Sequence, residues 1–574
     1  MMFRSGILCS FLLLLTVPAL AAPQINGATN AASFLPPALP NGGLAQGSLV
    51  TLFGNDLGPD PFVQVSQFPL QTTLAGVSAK ITAGGQTFDA IPIVVWTRQT
   101  TILIPSNVPA GNAEVQLTYN GQTSNSFPLR IVPNAFGIFA LNQAGSGPGI
   151  FTNALLPAND PNWINTLATS ASPGDWYDIW GTGLGPVSGD EASGPLPGDL
   201  RGQINVQVIV GGRQAEVLYA GRSGCCAGID QIRFVVPNVT GCYVPLVVIV
   251  NGVPSNSVTI SIDPQGGACS VPGLMTSQEL EEVKQKGAIS EGWIGISRMA
   301  VQAPMQGQGG LDELITENGS ATFERYTYSQ LIAVQPTQGI VARDSCYVFV
   351  TSQDEGEEEP PSSDPSDSDP VQPQAYLDAG PAININGPNG QRQLMPVQGR
   401  RGIYNAPLGN NFPFPIPGQP QGLYLDPGQY TIDNGQGGAD VGPFNTSLDI
   451  TNPAQWTNRD AINNVPGGQP LRITWTGVPN GTVIISGTSI DDPNDVMGMF
   501  FCLAEGAAGQ FDVPAWVIDS LPASSIEQNM PLGFLGLFTT MDPKRFDANG
   551  LDVGMVTWTN MSMKSVSYHN PAPQ

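Results

Sequence analysis

Residues 47–59 read GSLVTLFGNDLGP, and residues 174–186 read GDWYDIWGTGLGP. Both are short runs rich in β-branched and aromatic residues that stop at Leu-Gly-Pro, the composition of a strand running into a turn. The correspondence continues outward. Phe68-Pro69-Leu70 answers Gly194-Pro195-Leu196, and Thr101-Ile102-Leu103-Ile104-Pro105 answers Arg233-Phe234-Val235-Val236-Pro237. NGQTSNSFPLRI (120–131) answers NGVPSNSVTISI (251–262). Because the order is kept throughout, the pattern is an internal duplication. Each copy holds five to seven short alternating runs separated by Gly, Pro and Asn, which predicts a β-sandwich. The Asn-Gly pair between two apolar runs predicts a hairpin in each copy.

Both copies resemble TIG-type (IPT) immunoglobulin-like domains, and a repeat found in large secreted proteins of certain soil bacteria. The words that carry the resemblance are Asn30-Ala31-Ala32-Ser33-Phe34, the 47–59 run and the strand ending at Ile104-Pro105. The first of these has no clear counterpart in copy two. The resemblance spans roughly residues 25–265 and implies a fold and an exported setting. It implies no activity, because such domains serve as spacers, docking surfaces or adhesion modules in different proteins.

Composition agrees with an all-β chain. Its 68 glycines and 53 prolines make up about a fifth of 574 residues and interrupt helices. Net charge is −25, from 46 acids against 21 bases. A nucleic-acid partner needs a basic surface, and none is visible; an anionic membrane would repel the chain as well. Arg4, the apolar run Ile7–Leu15 and Ala19-Leu20-Ala21 predict a signal peptide over 1–21. No later run is long enough to span a membrane. The expected location is secreted, extracellular or at the cell surface.

The expected organisation is module 1 over 22–135, module 2 over 136–270 and a larger β-rich domain over 271–574. Within the last, MTSQELEEVKQK (275–286) reads as one short helix, capped by Thr276 or Ser277 and stopped by Gly287. Trp293–Ile296, Ala321–Tyr328 and Cys346–Thr351 read as strands. Residues 353–372 (QDEGEEEPPSSDPSDSDPVQ) read as a disordered acidic loop. The pieces on either side of it form one domain in this reading, or two joined by it.

Without Cys9 of the leader, six cysteines remain, an even number that favours disulfides in an exported chain. Strand direction in copy two brings Cys242 and Cys269 out at the same end, so they are expected to pair. Cys225 and Cys226 lie together at the other end, where a vicinal bond and crossed pairs between loops both remain open. By elimination Cys346 pairs with Cys502.

Candidate chemistry is sparse. His569 is the only histidine, so Ser-His-Asp catalysis and histidine zinc sites are excluded; it reads as a surface or fraying-tail residue. A carboxylate pair could support a glycosidase or lyase in 275–574, yet spacing pairs no two of Asp178, Asp378, Asp440 and Asp552. Asp491, Asp492, Asn494 and Asp495 cluster oxygen ligands that suit Ca²⁺, though Asp-Pro-Asn is also turn chemistry; no cofactor is expected otherwise. In the strand Asp175–Trp180, Tyr177 and Ile179 take the core face. Trp176, Asp178 and Trp180 then share the outer face, where two indoles flanking an acid could stack on a sugar. The same face also suits packing against a neighbouring module, since the equivalent Leu49 and Phe53 are apolar. The preferred expectation is a non-catalytic adhesion or scaffold protein whose partner is a surface protein or polysaccharide. The alternatives are a carbohydrate-binding protein and the carboxylate enzyme.

Overall fold

The structure, a computed structural model, describes residues 22–271, 275–304, 311–333, 341–352, 373–398, 400–527 and 530–569. The expected leader and the acidic segment 353–372 lie outside these residues. Strands dominate, so the chain is all-β.

The duplication is visible strand by strand. In copy one, Leu49–Asn55 pairs Gln99–Leu103, which pairs Gln86–Val95, then Val77–Ala83, Gly111–Tyr119 and Phe127–Val132. In copy two, Trp176–Thr182 pairs Asp230–Val235, which pairs Val217–Arg222. On its second sheet, Arg213–Ala215 pairs Val206–Val210, followed by Gly241–Val250 and Val258–Ile262. Register is kept too: Val50 faces Ile102 and Tyr177 faces Phe234. The copies differ at one strand. Gln86–Val95 crosses from one sheet to the other unbroken, whereas its counterpart breaks at Glu216 into two pieces. Val50, Leu52, Tyr177 and Ile179 are all buried, as the alternation predicts.

The repeated Asn-Gly-x-x-Ser-Asn-Ser word has the same job twice. Asn120-Gly121 and Asn251-Gly252 both take positive φ, the hairpin turn that Asn-Gly favours. Ser124 Oγ accepts from Leu117 N, and Ser255 Oγ accepts from Val248 N. Asn125 accepts from Ile25 N at 2.7 Å and donates to Ile25 O at 3.0 Å. Asn256 does the same to Ile138 at 2.8 and 2.9 Å, and also donates to Gly145 O. Each asparagine thus ties down the incoming edge of its own module.

In the C-terminal region the helix is Ser277–Lys286, with a Thr276/Glu279 capping box and Gly287 in the left-handed conformation. Two further short helices, Tyr328–Ala333 and Ala515–Asp519, were not expected. The first begins where the expected strand 321–328 ends. Its Tyr328 and Leu331 pack into an apolar cluster with Leu280 and Ile289, and tertiary packing overrides the local β preference.

One 14-stranded sheet joins strands from both sides of 353–372. Ser345–Ser352 lies at one edge, beside Val496–Glu505, and the long hairpin Ala288–Pro304/Leu311–Thr327 runs through the middle. Two apolar cores line one face, one around Phe323, Tyr404 and Trp558, the other around Ile485, Phe500 and Leu537. Module 2 sits on the opposite face. Tyr347 Oη accepts from Gly147 N at 2.8 Å, Ser257 Oγ accepts from Val348 N, and Tyr243 bridges to Val341.

Candidate functional site

The Trp176–Thr182 strand places Trp176, Asp178 and Trp180 on its outer face, as expected, but commits the acid. Cross-strand register sets Asp178 opposite Arg233. The pair is bidentate, with both hydrogen bonds at 2.8 Å and Asp178 buried. The equivalent position in copy one is Thr51 opposite Thr101, joined through their hydroxyls at 3.0 Å. Trp180 Nε1 donates to Thr152 Oγ1 at 2.9 Å on the neighbouring strand. Only Trp176 stands open, 43% exposed. The three residues share a face, but without a free carboxylate between the indoles.

Leu49, the copy-one equivalent of Trp176, is covered. With Leu70, Ile91 and Leu103 it packs against Phe139, Ala192, Ala227 and Ile229 of module 2. The loop that reaches it, 223–229, is the copy-two insertion carrying the exposed pair Cys225–Cys226, which is disulfide-bonded. At its base Arg222 is buried, ion-paired to Asp230 and Glu191 and bonded to Gly47 O across the module boundary. Asp230 also accepts from Gly183 N and Leu184 N at 2.7 Å. Thr182 Oγ1 accepts from Leu49 N and donates to Gly228 O. Thus the extra loop is a docking element between the modules. Cys242–Cys269 and Cys346–Cys502 are bonded as strand direction and elimination expected. The second bridges adjacent strands of the large sheet, in a directly opposed pair.

The other candidates are engaged locally. Asp552 takes Lys286 and Ser290 N. Asp378 and Asp440 are neighbours: Asp440 Oδ2 accepts from Asp378 N at 2.9 Å, and Asp378 Oδ1 accepts from Gly380 N. The 491–495 segment is a 3₁₀ turn between two paired strands, with Asn494 bonded to Asp491 and Asp495 in the left-handed region. Among the described residues, no cluster of three or more metal-ligating side chains forms. His569 is not a fraying tail: its Nε2 donates to Ile518 O at 2.9 Å, and its backbone N donates to Val465 O.

Two features escaped the sequence. Glu291 and Glu324 stand directly opposite on the long hairpin, an unfavourable like-charge pairing. Burial, then Glu324 and Asp552, push the Glu291 carboxyl up to about 7. Further along the same sheet face lies a concavity of about 230 Å³. It is lined by Trp293, Ser297, Ser320, Thr482, Thr540 and Thr559, with Asp542 at its rim. These residues come from five strands and the turn after one of them. Only register unites them, so no spacing in the chain announces the site.

No family model matches the chain, and no curated protein matches it significantly. Solved structures that align include a protein of unknown function from Bacteroides thetaiotaomicron, at 10% identity over 57% of this chain and 62% of that one, TM-score 0.14. Domains 5–6 of the S-layer protein SbsC align at 10% identity over 42% and 98%, TM-score 0.17. An I-band fragment of titin aligns at 10% identity over 69% and 95%, TM-score 0.10. The chain therefore spans less than two thirds of the first of these, and at such TM-scores none of them carries an argument about what this chain does.

Proposed function

We propose that this chain is an exported, non-catalytic β-sandwich protein that acts as a scaffold or adhesive element at the cell surface or in the extracellular matrix. The observation that carries the reading is how the modules are fixed. Module 2 is bonded to module 1 through buried polar anchors (Arg222, Thr182, Asn30) and is also seated on the large sheet through Tyr347 and Ser257. Modules held this way cannot pivot freely, which suits a strut and not a flexible string. Three disulfides suit an oxidising compartment. The four aspartates that the sequence offered for catalysis, Asp178, Asp378, Asp440 and Asp552, are tied to cations or backbone N–H groups.

The test is fractionation of cells producing the full chain with a C-terminal tag. The expected result is a surface or extracellular pool whose cysteines react with a thiol reagent only after reduction. A deletion strain is expected to lose attachment to its matrix or to neighbouring cells. A reduced cytosolic pool would overturn export, and unchanged attachment would overturn the adhesive role.

A further inference from the structure

We propose that the open face of the C-terminal sheet around Trp293 binds a neutral oligosaccharide. Cross-strand register builds the site: Ser297 faces Thr559, Thr559 faces Thr540, and Thr540 faces Thr482. Four hydroxyls therefore cross four adjacent strands in one row, spanning about 14 Å at ~4.8 Å per strand. A second row, Ser320–Gly295–Thr557, runs beside it. Trp293 closes one end, 37% exposed, and its indole N–H has no protein acceptor among the described residues. Asp542 closes the other end, accepting from Thr482 Oγ1 at 3.4 Å and paired with Arg343.

Each part has a use toward a sugar. An indole presents a broad apolar face and one donor, which suits the C–H face and a ring-edge hydroxyl of a pyranose. Ser320 and Thr559 make no side-chain hydrogen bond within the described residues. Thr540 is held to Thr557 Oγ1 at 3.1 Å and donates to Met541 O, so its position is fixed while a lone pair remains to accept. Gly295 leaves the floor open beside the indole; a Cβ there would lie 3.5 Å from Ser320 Oγ and 3.7 Å from Trp293 Nε1. The lining holds one carboxylate and no free cation, and the chain carries −25. An anionic glycan is therefore disfavoured and a neutral one fits.

The site is independent of the scaffold reading, which stands or falls on fractionation and attachment. The probes are soluble neutral polysaccharides (β-glucan, xylan, mannan and α-glucan), tested by affinity electrophoresis and tryptophan fluorescence with the oxidised full chain. At least one is expected to retard the protein and change its fluorescence. Trp293→Ala should weaken that binding at least tenfold. Gly295→Ala, whose added methyl makes only ordinary contacts, should weaken it while leaving thermal unfolding unchanged. No retardation by any of the four would overturn the proposal. So would binding that survives both substitutions, or binding that Trp176→Ala abolishes.

Discussion

Removing the side chain of Asn256 tests whether the repeated Ser-Asn-Ser word holds each module together as its hydrogen bonds indicate. Asn256 is 4% exposed and makes three bonds, from Ile138 N and to Ile138 O and Gly145 O. Truncation to alanine leaves one donor and two acceptors without their side-chain partner in a largely enclosed region, beside a cavity of about 50 Å³ that Gly145 and Asn256 line. An orphaned buried group costs about 1–3 kcal/mol, the lower end where a neighbour can relax. The expected destabilisation of module 2 is therefore about 3–5 kcal/mol. Asn125→Ala removes the equivalent clamp on Ile25, but there the groups are only partly buried. Water can replace the lost bonds, so about 1 kcal/mol is expected. Hydrogen exchange resolves the two modules in the intact chain, which a global melt of a multidomain protein does not. The Ile138 amide should lose most of its protection in Asn256→Ala, with module 1 unaffected. Asn125→Ala should give a smaller effect confined to Ile25 and its neighbours. Unchanged protection at Ile138, or equal losses in both variants, would refute the claim that burial makes the second clamp the stronger one.

Three further outcomes follow from the same contacts. Arg222→Met strands Asp230, which is fully buried; a cost of about 3–5 kcal/mol is expected by chemical unfolding, with much of it recovered in Arg222→Met/Asp230→Asn. Replacing Cys242 and Cys269 by serine opens a loop of 27 residues and should cost about 3–4 kcal/mol in the chain-entropy model, read as a shift of the urea midpoint. For Glu291, a folded pKa raised to about 7 from 4.5 means the folded chain holds this proton more tightly than the unfolded one. Its burial is therefore tolerated below pH 4.5, where both states are protonated; the destabilisation grows as pH rises from 4.5 and is complete once pH has passed about 7. Glu291→Gln should leave stability unchanged at pH 4 and raise it by up to about 3 kcal/mol at pH 8, and a gain of the same size at both pH values would refute the assignment.

The halves of the chain differ in how much they declare in sequence, and the reason is physical. Local alternation put Tyr177 and Ile179 inward because the side-chain period of a strand is fixed at two. Asn-Gly announced its hairpins because few residues other than glycine and asparagine accept positive φ. Strand direction was enough to bring Cys242 to Cys269, since a few short strands with tight turns leave little freedom. By contrast, Asp178 looked available because its partner, Arg233, lies 55 residues away and is set by register. The copy-one pair Thr51/Thr101 held that information, since aligned repeats must share register. Nothing comparable existed for Trp293, Thr559, Thr540 and Thr482. Their strands meet only because the large sheet takes up segments out of chain order, and neither periodicity nor spacing encodes that order. The Glu291–Glu324 pair was hidden for the same reason: a hairpin 17 residues long on each side can slip, and a slip of one residue would separate the charges.

The divergence of the two copies follows from what covers each. An outer strand face of a sandwich must be buried by a neighbour or made compatible with water. In copy one the face keeps Leu49 and Leu103, because the 223–229 loop of the next module is there to bury them. In copy two the same positions are Trp176 and Val235, with the Asp178–Arg233 pair beside them. Trp176 is left open there, and Arg233, about a third exposed above the buried Asp178, turns its guanidinium to solvent. The two indoles and the acid that resemble a sugar platform in sequence are better explained as the open end of a tandem array. The insertion holding Cys225 and Cys226 is the matching half of the same arrangement: copy two carries the docking loop, and copy one carries the surface on which it docks. The hydroxyl rows of the large sheet lie on the face that carries module 2, in a stretch lined by no module residue, so they are left open where the outer strand face of copy one is covered.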